Sequence, residues 1–155
     1  MTSVRTSLVD LYVLRMIDGS LQCLALRRAA GGRCPGSWES VHGHIEQAEQ
    51  PVNAATRELK EETGLTALRL YNLSRVELFY QHRSDEVALV PVFAALVPAD
   101  ASVRLGSEHD SFEWLSLSAA RMRYAWPRER RALDDIEMLL GQGNAGAVDD
   151  VLRVC

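Results

Sequence analysis

The 155-residue chain has little of several residue types, and each shortage excludes a class of protein. It has three cysteines, an odd number with no CxxC pair, so we expect no disulfide framework and a reduced, cytoplasmic protein. Its longest apolar run, Val87 to Pro98, is too short to span a bilayer, and residues 1–10 hold no apolar segment of signal-peptide length. Seventeen basic residues stand against 21 acidic ones, which is not the basic excess of a general nucleic-acid binder. We therefore expect neither a membrane nor a nucleic acid as a partner.

The composition that remains is ordinary for one globular domain. Apolar residues make up 47% of the chain and charged residues 25%. The length is close to the roughly 150 residues of a typical domain. We expect a single domain over residues 1–155, with its core at about residues 7–140 and a loose C-terminal tail at residues 141–155.

The order of sequence patterns predicts an α/β fold with a mixed sheet. Short apolar runs separated by turn signals are typical of strands, and two segments begin with a proline that favours a first helical turn. Gly64 follows the first of these segments, where a left-handed residue commonly ends a helix. Pro91 interrupts an apolar run and predicts a sheet edge or a bulge. The predicted strands are 7–17, 21–27, 38–41, 68–81 (broken near Ser74), 87–97 and 112–115, and the predicted helices are 51–63 and 127–140.

The first predicted helix carries three glutamates on one face. Glu58, Glu61 and Glu62 stand at positions i, i+3 and i+4, where like charges destabilise a helix by about 0.2–0.5 kcal/mol per pair. One interpretation is a solvated face that Arg57 and Lys60 partly neutralise. The other is a cluster of hard oxygen ligands for Mg²⁺ or Mn²⁺.

The residues before this helix favour the second interpretation. The chain reads Gly43-His44-Ile45-Glu46-Gln47-Ala48-Glu49, then seven residues, then Arg57-Glu58-Leu59-Lys60-Glu61-Glu62-Thr63-Gly64-Leu65. This pattern resembles the signature of the Nudix hydrolases, G-x5-E-x7-R-E-U-x-E-E-x-G-U, in which U is an apolar residue. Every fixed position is present at the right spacing across 23 residues.

The resemblance implies a Nudix α/β/α sandwich with a central mixed sheet. It also implies metal-dependent hydrolysis of a nucleoside diphosphate linked to another group, because a metal ion neutralises phosphate charge and activates water. Glu58 and Glu62 are then the expected principal ligands of Mg²⁺ or Mn²⁺. Glu61 beside them and the backbone carbonyl of Gly43 are further expected ligands.

The same resemblance gives Arg57 and Glu49 a catalytic role as a pair that orients the carboxylates. Two residues depart from the common family pattern: His42 stands where many members have glycine, and Ala48 replaces a common glycine. Neither departure alters an expected metal ligand.

Three residues outside the motif are further candidates for the site. Glu108 stands six residues before Trp114 and resembles a glutamate of the triphosphate-hydrolysing members that binds metal or acts as the base. Arg28 is a candidate phosphate contact and Trp38 a candidate substrate contact; the alternatives are an exposed strand-end arginine and a core tryptophan. The other candidates for the base are Glu61, Glu86 and His82.

The resemblance favours hydrolysis of a nucleoside triphosphate, or a close analogue, to the monophosphate and pyrophosphate. Residues 38–43 and 108–114 are similar to elements of the bacterial dATP and dihydroneopterin-triphosphate pyrophosphohydrolase branch. The alternatives are a hydrolase of ADP-ribose or a nucleotide sugar, and a non-catalytic binding module with the same fold. The expected partner is a small-molecule nucleotide, and a homodimer is common in the family.

Several arginines lie near the second predicted helix. Arg130 and Arg131 can pair with Asp134 and Asp135 one turn later, which predicts a solvated face. The alternative is a positive lip that attracts triphosphates. The members of this arginine cluster are Arg121, Arg123, Arg128, Arg130 and Arg131.

Overall fold

The computed structural model describes residues 1–155 as eight strands and four α-helices. The strands are β1 (Ser3–Thr6), β2 (Leu8–Ile17), β3 (Ser20–Arg28), β4 (Trp38–Glu39), β5 (Val41–His44), β6 (Arg69–Gln81), β7 (Glu86–Leu96) and β8 (His109–Ser116). The helices are α1 (Pro51–Thr63), α2 (Leu117–Arg123), α3 (Pro127–Leu140) and α4 (Asp149–Leu152), with a 3₁₀ turn at Gly146–Val148. None of these helices is long and apolar enough to cross a membrane.

The strands form one mixed sheet, as predicted. On one side, β2 pairs in parallel with β7. On the other side it pairs antiparallel first with β5, over Leu8–Leu11, and then with β3, over Leu14–Ile17. β1 and β6 also pair with β7, and β4 and β8 pair with β3. Because β5 lies only beside the first residues of β2, Gly43 and His44 come to one end of the sheet.

Helices cover both faces of the sheet, which confirms the α/β/α sandwich. Alternate residues of β2 enter two separate cores, because side chains of a strand point to opposite faces. Leu11 and Val13 face α1, whereas Tyr12 and Leu14 face α3. The helices complete the two cores with Ala55 and Leu59 of α1 on one side and Leu133, Ile136 and Leu140 of α3 on the other.

The expectation for Pro91 is half right. Pro91 lies in β7, which has neighbours on both sides, so the predicted sheet edge is wrong. The bulge is confirmed: Pro91 pairs with Val76 directly after a register shift in β6, and Ser74 within that shift has a φ of 54°. On its other side β7 changes partner at this point, from β1 up to Leu89 to β2 from Val92. A residue without an N–H is tolerated there because the pairing is already interrupted.

The C-terminal residues are not the loose tail expected from the sequence. Leu152 is buried, and Tyr71 donates a 2.9 Å hydrogen bond from its hydroxyl to Asp149. The backbone N–H of Val154 donates to the carbonyl of Leu70 at 2.7 Å. The open edge of β6 offers unpaired backbone groups, and the last residues satisfy them.

The ion pairs predicted along α3 are also wrong. Asp134 pairs with Arg121 of α2, and Asp135 pairs with Arg75 of β6, instead of with arginines one turn earlier. These pairs connect α3 to the elements beside it. The side chain of Arg128 instead bonds to Asp10 of β2 and lines the cleft described below.

Candidate active site

A cleft of about 640 Å³ opens at the end of the sheet where β5 lies. Its walls come from β2 to β7, α1, the beginning of α3 and the loops between them. Of the residues predicted from the sequence, Arg28, Gly43, Arg57, Glu58 and Glu108 line this cleft. The fold therefore brings the motif together with the loop that precedes β8.

Gly43 and Glu58 lie in direct contact. A Cβ atom added to Gly43 would overlap the carboxylate of Glu58. Glycine is needed at position 43 because α1 crosses β5 so closely that the side chain of Glu58 lies against the backbone of the strand. The carbonyl of Gly43 and the carboxylate of Glu58 thus belong to one small region.

Arg57 connects the glutamates of the motif. Its Nε and Nη2 donate to the two oxygens of Glu49 at 3.0 and 2.9 Å. Its Nη1 donates to Glu58 at 2.8 Å and to Glu61 at 3.3 Å, and Nη2 also reaches the carbonyl of His44 at 2.8 Å. The guanidinium lowers the pKa of Glu49. Glu61 contacts Arg57 with a side chain that is 58% exposed, outside the cleft lining.

Glu62 is buried without a full set of partners. It is only 5% exposed, and its Oε2 has no hydrogen-bond partner. Nδ1 of His109, which is also unpartnered, lies 3.9 Å from that oxygen. Burial raises the pKa of Glu62 to about 9; the charges of Glu58 and Glu108 add to the rise, and that of His42 opposes it.

Glu58 shares this excess of negative charge. Burial raises its pKa, the neighbouring Arg57 opposes the rise, and Glu61 and Glu108 contribute to it. The charges of Glu58, Glu62 and Glu108 therefore act on one another, and the neighbouring cations only partly offset their repulsion.

This set of oxygen donors fits a hard divalent cation. No three His, Cys, Asp or Glu side chains converge on one point at metal-ligand distances. One physical reason is that Arg57 holds an oxygen of Glu58. The unpartnered oxygen of Glu62 and the raised pKa values of Glu58 and Glu62 are nevertheless what a nearby cation would relieve.

A buried charge network beneath the cleft was missed by sequence reasoning. Asp10 is 1% exposed and contacts Nδ1 of His42 at 2.7 Å and Nε of Arg128 at 2.8 Å. Burial alone would raise the pKa of Asp10, but these two cations lower it to about 2. Glu129, fully buried, accepts a 2.6 Å hydrogen bond from the backbone N–H of Ser40. The available signal was Asp10 itself, a charged residue inside an apolar strand.

The two departures from the family pattern have visible consequences. The His42 side chain enters the buried network, and Asp10 and Glu129 raise its pKa well above the ordinary value although burial opposes this. Ala48 adopts a φ of 63°, a left-handed conformation that glycine accepts more readily.

Trp38 lies outside the cleft lining. It is half-buried against the core beneath α3, and the guanidinium of Arg123 lies 4.7 Å from its ring centre. This placement matches the alternative of a core tryptophan. The aromatic residues that do line the cleft are Phe79 and Trp126, and the sequence predicts a substrate contact at neither of them.

Arg28 lies in the cleft but is already engaged. It donates to the carbonyl of Arg33 and, at 3.0 Å, to the carboxylate of Glu39. Glu86, the first residue of β7, accepts a 2.9 Å hydrogen bond from Ser7. Neither Glu86 nor His82 lines the cleft. Among the predicted bases, only Glu108 lies in the cleft lining.

Comparison with known proteins identifies the family. A family model described as the NUDIX domain matches residues 7–136, which include the whole motif and most of the chain. The chain belongs to the Nudix family. The resemblance of residues 43–65 to the Nudix signature is thereby confirmed.

Two curated relatives match parts of this Nudix chain. It is 41% identical over 95 residues to an octanoyltransferase of Myxococcus xanthus, a match that covers 57% of this chain and 25% of that protein. It is 34% identical over 85 residues to an asymmetrical bis(5′-nucleosyl)-tetraphosphatase of Rattus norvegicus, covering 54% of this chain and 58% of that protein. The chain therefore spans a quarter of the length of the first relative and about three fifths of the length of the second.

Solved structures match over nearly the whole fold. An Ap4A hydrolase of C. elegans in a binary complex has a TM-score of 0.72 at 23% identity, covering 86% of this chain and 96% of that one. The E. coli dihydroneopterin triphosphate pyrophosphohydrolase has a TM-score of 0.70 at 22% identity, covering 89% and 99%. At these identities the likeness is one of fold alone.

Proposed function

We propose that this Nudix protein is a Mg²⁺- or Mn²⁺-dependent pyrophosphohydrolase. Its substrate is a nucleoside triphosphate or a close analogue, cleaved to the monophosphate and pyrophosphate. The observation that carries this proposal is the buried Glu62, with an unpartnered oxygen, beside Glu58 and Glu108. Three carboxyl groups in so little space are unfavourable in an inert protein and useful around a divalent cation.

The cleft lining contains both arginine and aromatic side chains, and this supports a nucleotide as the substrate. Arg28 and Arg33 line the cleft together with the carboxylates of Glu58 and Glu108, and these arginines can bind phosphate groups. Phe79 and Trp126 also line it, both near Arg128, and a planar base can stack on such rings. A nucleotide carries both groups on one molecule.

The residues present can divide the reaction between them. Glu58, Glu62, Glu108 and the carbonyl of Gly43 would hold the cation, which when bound neutralises phosphate charge and lowers the pKa of water. Arg57 orients Glu58 and Glu49 through its hydrogen bonds. Glu108 accepts the proton of the attacking water, and Glu61 is the alternative base on the exposed side of α1.

A second candidate substrate is a dinucleoside polyphosphate. The observation that favours it is the similarity to the bis(5′-nucleosyl)-tetraphosphatase of Rattus norvegicus. The bond broken and the residues used would be of the same kind. A cytoplasmic location and a homodimer stay predictions.

The proposal is tested by incubating the protein with GTP, ATP, a dinucleoside tetraphosphate and ADP-ribose, with and without Mg²⁺. Separation of the products by ion-exchange chromatography should show a monophosphate and pyrophosphate from a triphosphate, only when Mg²⁺ is present. Faster cleavage of the dinucleoside tetraphosphate would move the assignment to the second candidate. Binding of nucleotides without cleavage of any would show a binding module and overturn the proposal.

A further inference from the structure

Arg128 is bound by a buried carboxylate beside two aromatic residues of the cleft lining. Its Nε donates a 2.8 Å hydrogen bond to Oδ2 of Asp10. The other oxygen of Asp10 is bound to His42 at 2.7 Å, and Asp10 itself is buried. The carboxylate cannot turn away without losing both partners, so it fixes the direction of the guanidinium.

Two aromatic rings flank this guanidinium. Its central carbon lies 5.4 Å from the ring centre of Trp126 and 5.9 Å from that of Phe79. All three side chains line the cleft, together with the apolar Leu8 and Val90. The terminal nitrogens of Arg128 make no hydrogen bond within the protein.

The surroundings favour a base over a phosphate group as the partner of Arg128. Phosphate groups have two other arginines in the cleft lining, Arg28 and Arg33, and Glu58 and Glu108, which fit a cation, line the same cleft. The side chains of the cleft lining that lie against the guanidinium of Arg128 are the rings of Phe79 and Trp126, which suit a stacked planar ring. The free edge of a guanidinium presents two parallel N–H donors, which match two adjacent acceptors in one plane.

We propose that Arg128 determines base specificity by donating to O6 and N7 of a purine that carries an oxygen at C6, such as guanine. Adenine has an amino donor at that position, which would face the donors of Arg128. The inference rests on the proposed function, because it assumes a nucleotide in this cleft, and it adds the identity of the base.

The test measures binding instead of hydrolysis, so that it is separate from the test of the proposed function. GMP and AMP have no phosphoanhydride bond, and calorimetry in metal-free buffer compares their affinities directly. The wild-type protein should bind GMP more tightly than AMP by on the order of 10- to 100-fold, the range of a bidentate arginine–guanine contact. Equal affinities, or a preference for AMP, would overturn the inference whether or not the protein hydrolyses triphosphates.

Two substitutions of Arg128 sharpen the test. Arg128→Lys keeps a cation for Asp10 but removes the two-donor edge, so the preference for GMP should fall to within about 3-fold of unity. Arg128→Gln offers one donor and one acceptor, which match N7 and the amino group of adenine, and should shift the preference toward AMP. Thermal melts establish that each variant is folded, and Arg128→Lys is the decisive one because it leaves Asp10 paired.

A matched control is Arg15→Lys. Arg15 also lies over an aromatic ring, 4.4 Å from the centre of Trp114, but does not line the cleft. The substitution Arg15→Lys should leave the affinities for GMP and AMP unchanged. If Arg128→Lys instead weakens GMP and AMP by the same factor, Arg128 binds phosphate and the inference is wrong.

Discussion

The carboxylate of Glu58 occupies the space that any side chain at Gly43 would need. This contact joins the strand β5 to the helix α1 and sets the position of an expected metal ligand. The position of the Glu58 carboxylate therefore depends on a residue without a side chain.

Gly43→Ala should displace Glu58 and impair the reaction. A displacement of about 1 Å at a reacting centre can reduce the rate roughly 10²-fold, so we expect a loss of kcat of at least that order. Steady-state kinetics with Mg²⁺ measure it. Gly31→Ala is the control, since nothing lies within 4 Å of a Cβ at Gly31. Full activity in Gly43→Ala would contradict the close contact between Gly43 and Glu58.

Arg57→Ala should lower kcat more than it raises KM. Arg57 contacts Glu49 and Glu58, and its role is to orient them. Loss of such an orienting partner costs about 10- to 100-fold in metal affinity or activity. Arg57→Lys should restore little, because a single ammonium cannot make the same set of bonds. A large rise in KM at unchanged kcat would show instead that Arg57 contacts substrate.

Glu108→Gln should reduce kcat by roughly 10²- to 10⁴-fold, the usual range for a positioned acid–base group. Most of the loss should be in kcat, because a charge acting on the attacking water matters most in the transition state. Glu86→Gln is the matched control, since Glu86 lies outside the cleft lining and bonds to Ser7. The assignment is wrong if Glu86→Gln is the impaired variant and Glu108→Gln is near wild type.

Glu62 makes the protein less stable as the pH rises in metal-free buffer. Its pKa is raised from 4.5 to about 9 by burial, so the folded state must accept an unfavourable charge or retain a proton. Stability from this group is fully present below pH 4.5 and declines as the pH rises toward 9.

Glu62→Gln removes that dependence. Relative to wild type, the free energy of unfolding of the variant should increase by on the order of 2–4 kcal/mol between pH 5 and pH 8. Urea denaturation with a chelator present measures the difference. Glu61→Gln, on the exposed side of the same helix, should show little change. If the free energy of unfolding of Glu62→Gln relative to wild type is the same at pH 5 and pH 8, Glu62 is not held in an unfavourable environment.

The sequence predicts α1 to the residue and α3 to about its last residue, because both helices begin at a proline and α1 also ends at a glycine. Pro51 and Pro127 open the two helices, and Gly64 ends α1 with a φ of 71°. The strand β1 has no such signal, since its residues are mostly exposed, and it forms because β7 offers it a partner. Local pattern decides the first case and long-range pairing the second.

The motif on α1 is predictable because its residues are close in the sequence. Asp10 and Arg128 form an ion pair across 118 positions, and neither has a local pattern that reveals the other. The pair of aromatic residues beside Arg128 is hidden for the same reason: Phe79 belongs to β6, and Trp126 is the residue before α3. Only the fold brings such residues together.

The central claim is that the carboxylates of α1 hold a divalent cation that the hydrolysis requires. The most direct measurement is the rate of pyrophosphate release from the best nucleoside triphosphate as Mg²⁺ is titrated, for wild type and Glu62→Gln. We predict no release without Mg²⁺, saturable activation of the wild type, and at least a roughly 10²-fold lower maximal rate for the folded variant. Release by wild type without Mg²⁺, or equal rates for wild type and Glu62→Gln across the titration, would contradict the claim.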